Sequence, residues 1–207
     1  MADSFGIPQL LNYLTEMGLR VANVDQQQEI IELAFHGNNG QWRMIVNIQQ
    51  NDEARKLMLI VPHISSVTTR KRLECLEALL AVNYRIAMGK FGLDLDDGEV
   101  RLEEAVPLAN TGITQEQFQL VFRAIMQTVA MYHSLIPRII YGNLTTQQAL
   151  DACEQDFFQE FEGMQQAANT SGETQLTDGL RESEEFPELD VHDVLAEVTR
   201  MLEEQKE

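Results

Sequence analysis

The chain has 207 residues, 44% of them hydrophobic, and a formal net charge of −18. That is enough apolar material for one domain of ordinary size with an appendage, and too little chain for a second full domain. The charge disfavours unassisted binding to phosphate backbones or anionic lipid, because approach would be repelled. No apolar run approaches the ~20 residues that span a bilayer, and Met1-Ala2-Asp3-Ser4 lacks the basic-then-apolar pattern of a signal peptide. The expectation is a cytoplasmic protein that contacts neither nucleic acid nor membrane.

Ile7, Leu10, Leu11, Leu14 and Met17 recur at helical spacing before Gly18, which predicts a first short helix. The period then changes to two. Ile31, Leu33 and Phe35 alternate in one strand and Trp42, Met44, Val46 and Ile48 in the next, with Asn38-Asn39-Gly40 supplying a hairpin turn. Leu57 to Val61 is a continuous apolar run ending at Pro62 and reads as a strand buried on both faces.

Residues 68–88 return to a helical period. Leu73, Leu76, Leu80, Tyr84 and Ala87 share one face, and Gly89 is a plausible stop. Strands at 91–96 and 99–108 flank Asp97-Gly98, a hairpin signal. A third helix starts at Thr114, with Gln117 completing a capping box, and its apolar stripe runs from Phe118 to Ile136, where Pro137 disrupts or ends it. A further helix, about 145–162, has Thr145 and Gln148 as its capping box and Leu150, Cys153, Phe157 and Phe161 on one face.

The domain is expected to span residues 1–165. Beyond it, residues 166–207 hold 12 acidic and 3 basic side chains, half of the net charge, and read as a self-repelling disordered linker. Its end is different: Val191, Val194, Leu195, Val198, Met201 and Leu202 share one face of an amphipathic helix at about 190–204, which Asp190 can cap. That helix either folds back on its own domain or enters a partner's groove.

No motif specifies catalysis. Asp94-Leu95-Asp96-Asp97-Gly98 places its glycine too early for a calcium loop, and Gly89-Lys90-Phe91-Gly92 lacks the first glycine and the hydroxyl of a phosphate loop. His36, His63, His133 and His192 lie in four segments without metal-ligand spacing. Cys75 and Cys153 sit within apolar-periodic segments and read as core thiols. Asn143-Leu144-Thr145 and Asn169-Thr170-Ser171 match the glycosylation pattern, which a cytoplasmic chain would never use. Arg70-Lys71-Arg72 reads as a solvated face or as a seat for the acidic tail. No cofactor is implied.

The order α-β-β-β-α-β-β-α, with Leu79-Leu80-Ala81-Val82-Asn83-Tyr84-Arg85, then Met88-Gly89-Lys90-Phe91-Gly92-Leu93-Asp94 and Val100-Arg101-Leu102, resembles the YbjN-domain family over about residues 7–140. It looks most like the cyanobacterial branch. That family resembles the small secretion chaperones of type III systems in fold. The resemblance implies an α+β protein, an antiparallel sheet packed against helices, to which this chain adds an extra helix and an acidic tail. It also implies frequent homodimerisation, binding of a client polypeptide along apolar surfaces, and no catalytic residues. The reading is a non-catalytic, chaperone-like or adaptor protein. The alternative is a small-molecule-regulated or enzymatic protein whose site is assembled from positions without a motif. Candidate partner contacts are Trp42, Met44 and Met58, whose side chains suit adaptable apolar surfaces but more often pack in a core, together with Val191, Val194, Leu195, Val198 and Leu202 of the tail.

Overall fold

A computed structural model describes residues 5–37, 40–51, 54–109, 111–170 and the pair 189–190. Helix α1 (Ile7–Glu16) leads into β1 (Asn23–Asp25), β2 (Ile30–Gly37), β3 (Gly40–Gln50) and β4 (Arg55–Ser66). A 3-10 turn at Thr69–Lys71 feeds α2 (Arg72–Arg85), then come β5 (Lys90–Leu93), β6 (Glu99–Pro107), α3 (Gln115–Tyr132), α4 (Leu135–Ile140), α5 (Thr146–Thr170) and β7 (Leu189–Asp190). The sheet order is β1-β2-β3-β4-β6-β5, antiparallel throughout, and β7 pairs β2 in parallel. This is the α+β architecture expected from the sequence.

The period-two residues do what their spacing dictates. Ile31, Leu33, Phe35, Met44, Val46, Ile48, Leu57, Leu59, Val61, Val100 and Leu102 share one buried cluster with residues of α1 to α5. Phe118 and Phe122 of α3 sit at its centre, Phe122 tilted against Phe35 with ring centroids 6.3 Å apart. Both capping boxes form. Gln117 N donates to Thr114 Oγ1 at 3.2 Å and Thr114 N to Gln117 Oε1 at 3.0 Å, and Gln148 and Thr145 exchange the same pair at α5.

Several boundaries move for identifiable reasons. β1, three residues long, has no periodic signal of its own and exists only because it pairs Ile30–Glu32. β4 continues through Pro62 to Ser66. Pairing to β3 ends at Ile60, and the register to β6 shifts between Val61 and Ser65, so the missing proline N–H costs no ladder bond. His63 takes the positive φ of that irregularity, 51°. The long third helix splits: α3 ends at Tyr132 and Pro137 lies in the first turn of α4, where no intrahelical donor is required. β5 stops at Leu93, because Asp94 N donates to Glu99 O and Gly98 N to Asp94 O, closing the hairpin. α2 ends at Arg85, before Gly89, whose φ of 79° serves the turn into β5. α5 runs to Thr170, past residue 165.

Candidate protein-interaction surfaces

Helix α2 is apolar on two sides. Cys75, Ala78, Leu79 and Val82, an i, i+3, i+4, i+7 series, are buried against the domain. The stripe that the sequence suggested as the packed face points outward instead: Leu73 is 79% exposed, Leu80 72%, Tyr84 92%, and Leu76 37%. Small side chains explain the choice. Cys75 and Ala78 let α2 approach β5, α4 and α5 closely, where the bulkier stripe would hold it off. Leu73 to Tyr84 covers eleven residues of rise, about 17 Å of helix surface.

The C-terminal turn of α2 is held by two sets of side-chain contacts. Glu154 of α5 accepts from Arg85 of α2 and from Tyr132 Oη of α3, the latter at 2.9 Å. Burial, with the Glu154 carboxylate next in effect, pushes the Tyr132 hydroxyl up to about 12. From the same turn Asn83 reaches the edge strand β5: its Nδ2 donates to Phe91 O at 2.9 Å and its Oδ1 accepts from Phe91 N at 2.7 Å. One side chain thus occupies the outer main-chain pair of Phe91, capping an edge that would otherwise be open to another strand.

The second face of the sheet carries Ile45, Met58 and Ile60, none of which joins the core cluster. Ile45 lies opposite Ile60, and Met58 lies opposite Asn47 on one side and Ala105 on the other. Met58 is 7% exposed because these neighbours enclose it, although it sits on the face away from the core. The run Leu57–Val61 is therefore continuous in apolarity with only one side against the core. Met44 points the other way and is wholly enclosed at 0%, a core residue rather than a surface contact.

Trp42 is half-buried at the end of the core face and stacks on His133 with ring centroids 5.7 Å apart. It lines two clefts. One, about 350 Å³, follows β2 past Ala22, Asn23, Glu32, Leu33, Phe35 and Arg43. The other, about 280 Å³, brings His63 and His133 together with Ile64, Val129, Ser134 and Pro137. No carboxylate lines the second cleft, and no group of three or more His, Cys, Asp or Glu side chains is poised to hold a metal among the described residues. Asp94 and Asp97 accept amide hydrogens of their own turn, from Asp96 and Glu99, each at 2.9 Å. Cys75 and Cys153 are buried and unpaired, and burial pushes both thiols up. Val191, Val194, Leu195, Val198 and Leu202 lie outside the described residues, as does the helix expected at 190–204 apart from Asp190.

Of the residues singled out from sequence, the structure brings Trp42 to a cleft and Met58 to the open sheet face, and it sends Met44 inside. Sequence reasoning missed that Leu73, Leu80 and Tyr84 face outward. The signal was present, since 75, 78, 79 and 82 form a second helical series, but the larger side chains of the first outweighed it.

No helix among the described residues is long and apolar enough to cross a membrane. No curated protein matches the chain. Among solved structures, the chain is similar to one described as "Crystal structure of YbjN, a putative transcription regulator from E. coli", at 16% identity, covering 63% of this chain and 92% of that one with a TM-score of 0.43. A family model, YbjN, described as "Putative bacterial sensory transduction regulator", matches residues 8–136, from the first turn of α1 to the start of α4. With more than half of its length matched, this chain belongs to the YbjN family.

Proposed function

We propose that this protein is a non-catalytic protein-binding module of the cytoplasm, chaperone-like or an adaptor in character. The observation that supports the reading is the outward stripe of α2, Leu73, Leu80 and Tyr84, held in a fixed orientation by the Arg85–Glu154–Tyr132 network. A rigid apolar ridge on the surface is an association site unless it is covered. A second copy covers it most simply, because one stripe laid across its two-fold mate buries both. The client polypeptide then lies against the face that bears Ile45 and Ile60, which are half-buried and leave apolar surface to cover.

Sedimentation at micromolar concentration is expected to give about twice the 23.5 kDa chain mass. Replacing Leu73, Leu80 and Tyr84 together with serine should give the monomer mass while the domain still unfolds cooperatively, at a melting temperature lowered only by the loss of the dimer contact. Affinity capture from the native cell with mass spectrometry identifies the client, and I60E, at a half-buried position of that face, should weaken its retention. A native chain that remains monomeric at all accessible concentrations would remove the dimer and most of this reading.

A further inference from the structure

The two edges of the sheet are treated differently. At β5 the edge is four residues long and Asn83 occupies the main chain of Phe91. At β2 the protecting strand is β1, which pairs only Ile30–Glu32 and leaves the sheet where Ala22 N donates to Glu32 O at 2.9 Å. That bond fixes which groups face outward. Main-chain groups alternate along a strand, so if Glu32 turns its carbonyl to this edge, Ala34 and His36 turn theirs the same way, while Leu33 and Phe35 bond to β3. The second half of β2 thus turns the N–H and C=O of Ala34 and His36 outward, beside the cleft of about 350 Å³ whose walls include Glu32, Leu33, Phe35, Trp42 and Arg43. Leu189–Asp190 pairs there in parallel, Leu189 in register with Phe35 and Asp190 with His36.

We infer that this half-edge is a strand-docking site whose resident occupant is the chain's own acidic C-terminal segment around Leu189–Asp190, a plug that an extended segment of a protein partner must displace. Two observations carry it. The pairing is the single parallel one among the described residues, and it takes the part of β2 that β1 leaves uncovered. The tether reaches: residues 171–188 separate α5 from β7, and 18 residues span up to about 60 Å when extended. Main-chain pairing supplies affinity without demanding a particular sequence, so a partner strand of similar character can exchange with the plug. The displacement half of this inference rests on the protein-binding reading above. The docking half does not.

Hydrogen exchange on the full chain tests it, comparing the native protein with L189P, which removes the N–H that a parallel partner offers to the Ala34 carbonyl. The His36 amide, facing the plug, should lose protection about tenfold or more, while the Phe35 amide, bonded to β3, stays protected and reports that the domain is intact. A synthetic peptide of residues 182–193 should restore His36 protection in L189P and fail to bind the native chain. Unchanged His36 exchange in L189P with Phe35 protected overturns the docking. Equal binding of the peptide to both chains overturns the plug. A serine-substituted α2 stripe that still dimerises, with His36 protection as inferred here, would overturn the α2 reading and leave this one standing.

Discussion

Asn83 offers a sharp perturbation because it replaces a whole neighbouring strand with one side chain. In Asn83→Ala the Phe91 N–H and C=O lose partners at 2.7 and 2.9 Å, and Phe91 is only 7% exposed, so water reaches them poorly. Each bond is worth about 1 kcal/mol net, and a buried group left unpaired costs about 1–3 kcal/mol. Allowing for partial rehydration at an edge, the loss should be about 2–3 kcal/mol. For a folded domain of this size that lowers the melting temperature by about 5–10 °C. Asn83→Asp keeps the acceptor for Phe91 N–H but sets a carboxylate against Phe91 O, and should recover no more than about 1 kcal/mol. Asn12 is the internal comparison: its Nδ2 donates to Glu16 at 2.7 Å on an exposed helix face, and Asn12→Ala should cost less than about 0.5 kcal/mol. Urea titration of all three against the native chain, with equal slopes, decides the matter. If Asn83→Ala unfolds at the native midpoint, the β5 edge does not depend on Asn83, and the contrast drawn between the two edges fails with it.

Gly98 has a φ of +81°, and a Cβ there would lie 2.4 Å from Val67 O, so Gly98→Ala should destabilise by about 2–4 kcal/mol in chemical denaturation, whereas Gly92→Ala, with nothing within 4 Å, should stay within about 0.5 kcal/mol of the native value. Tyr132 is raised in the folded chain to about 12, above its ordinary 10. The unfolded chain therefore releases this proton first, and the stability present below pH 10 declines as pH rises toward 12, by on the order of 2 kcal/mol. Tyr132→Phe should flatten that decline in denaturation profiles taken between pH 9 and 11. Residues 1–170, ending with α5, should unfold cooperatively in a thermal melt, within a few degrees of the full chain, and loss of cooperativity would show that the tail belongs to the core.

The amino-acid sequence alone determined most of the architecture. Alternation in Ile31–Phe35 and Trp42–Ile48, the capping boxes at Thr114 and Thr145, and the stop chemistry at Gly18 and Asp97-Gly98 are local signals, and a local signal needs no distant partner to be read. The elements missed or misplaced were those that distant neighbours define. β1 is held by β2, β4 passes through Pro62 because its neighbours leave that position free, and α3 and α4 part where the chain turns along the core. The interaction surfaces lay further from view. A helix with two apolar series does not announce which one faces inward, and the answer for α2 depended on how closely Cys75 and Ala78 let it approach α5 and β5. Asn83 reads as an ordinary helical polar residue until β5 arrives beside it. Met44 and Met58 are alike in sequence, yet one is core and the other lies on the open face, because a strand's period of two assigns them opposite sides and only the placement of the helices decides which side is covered.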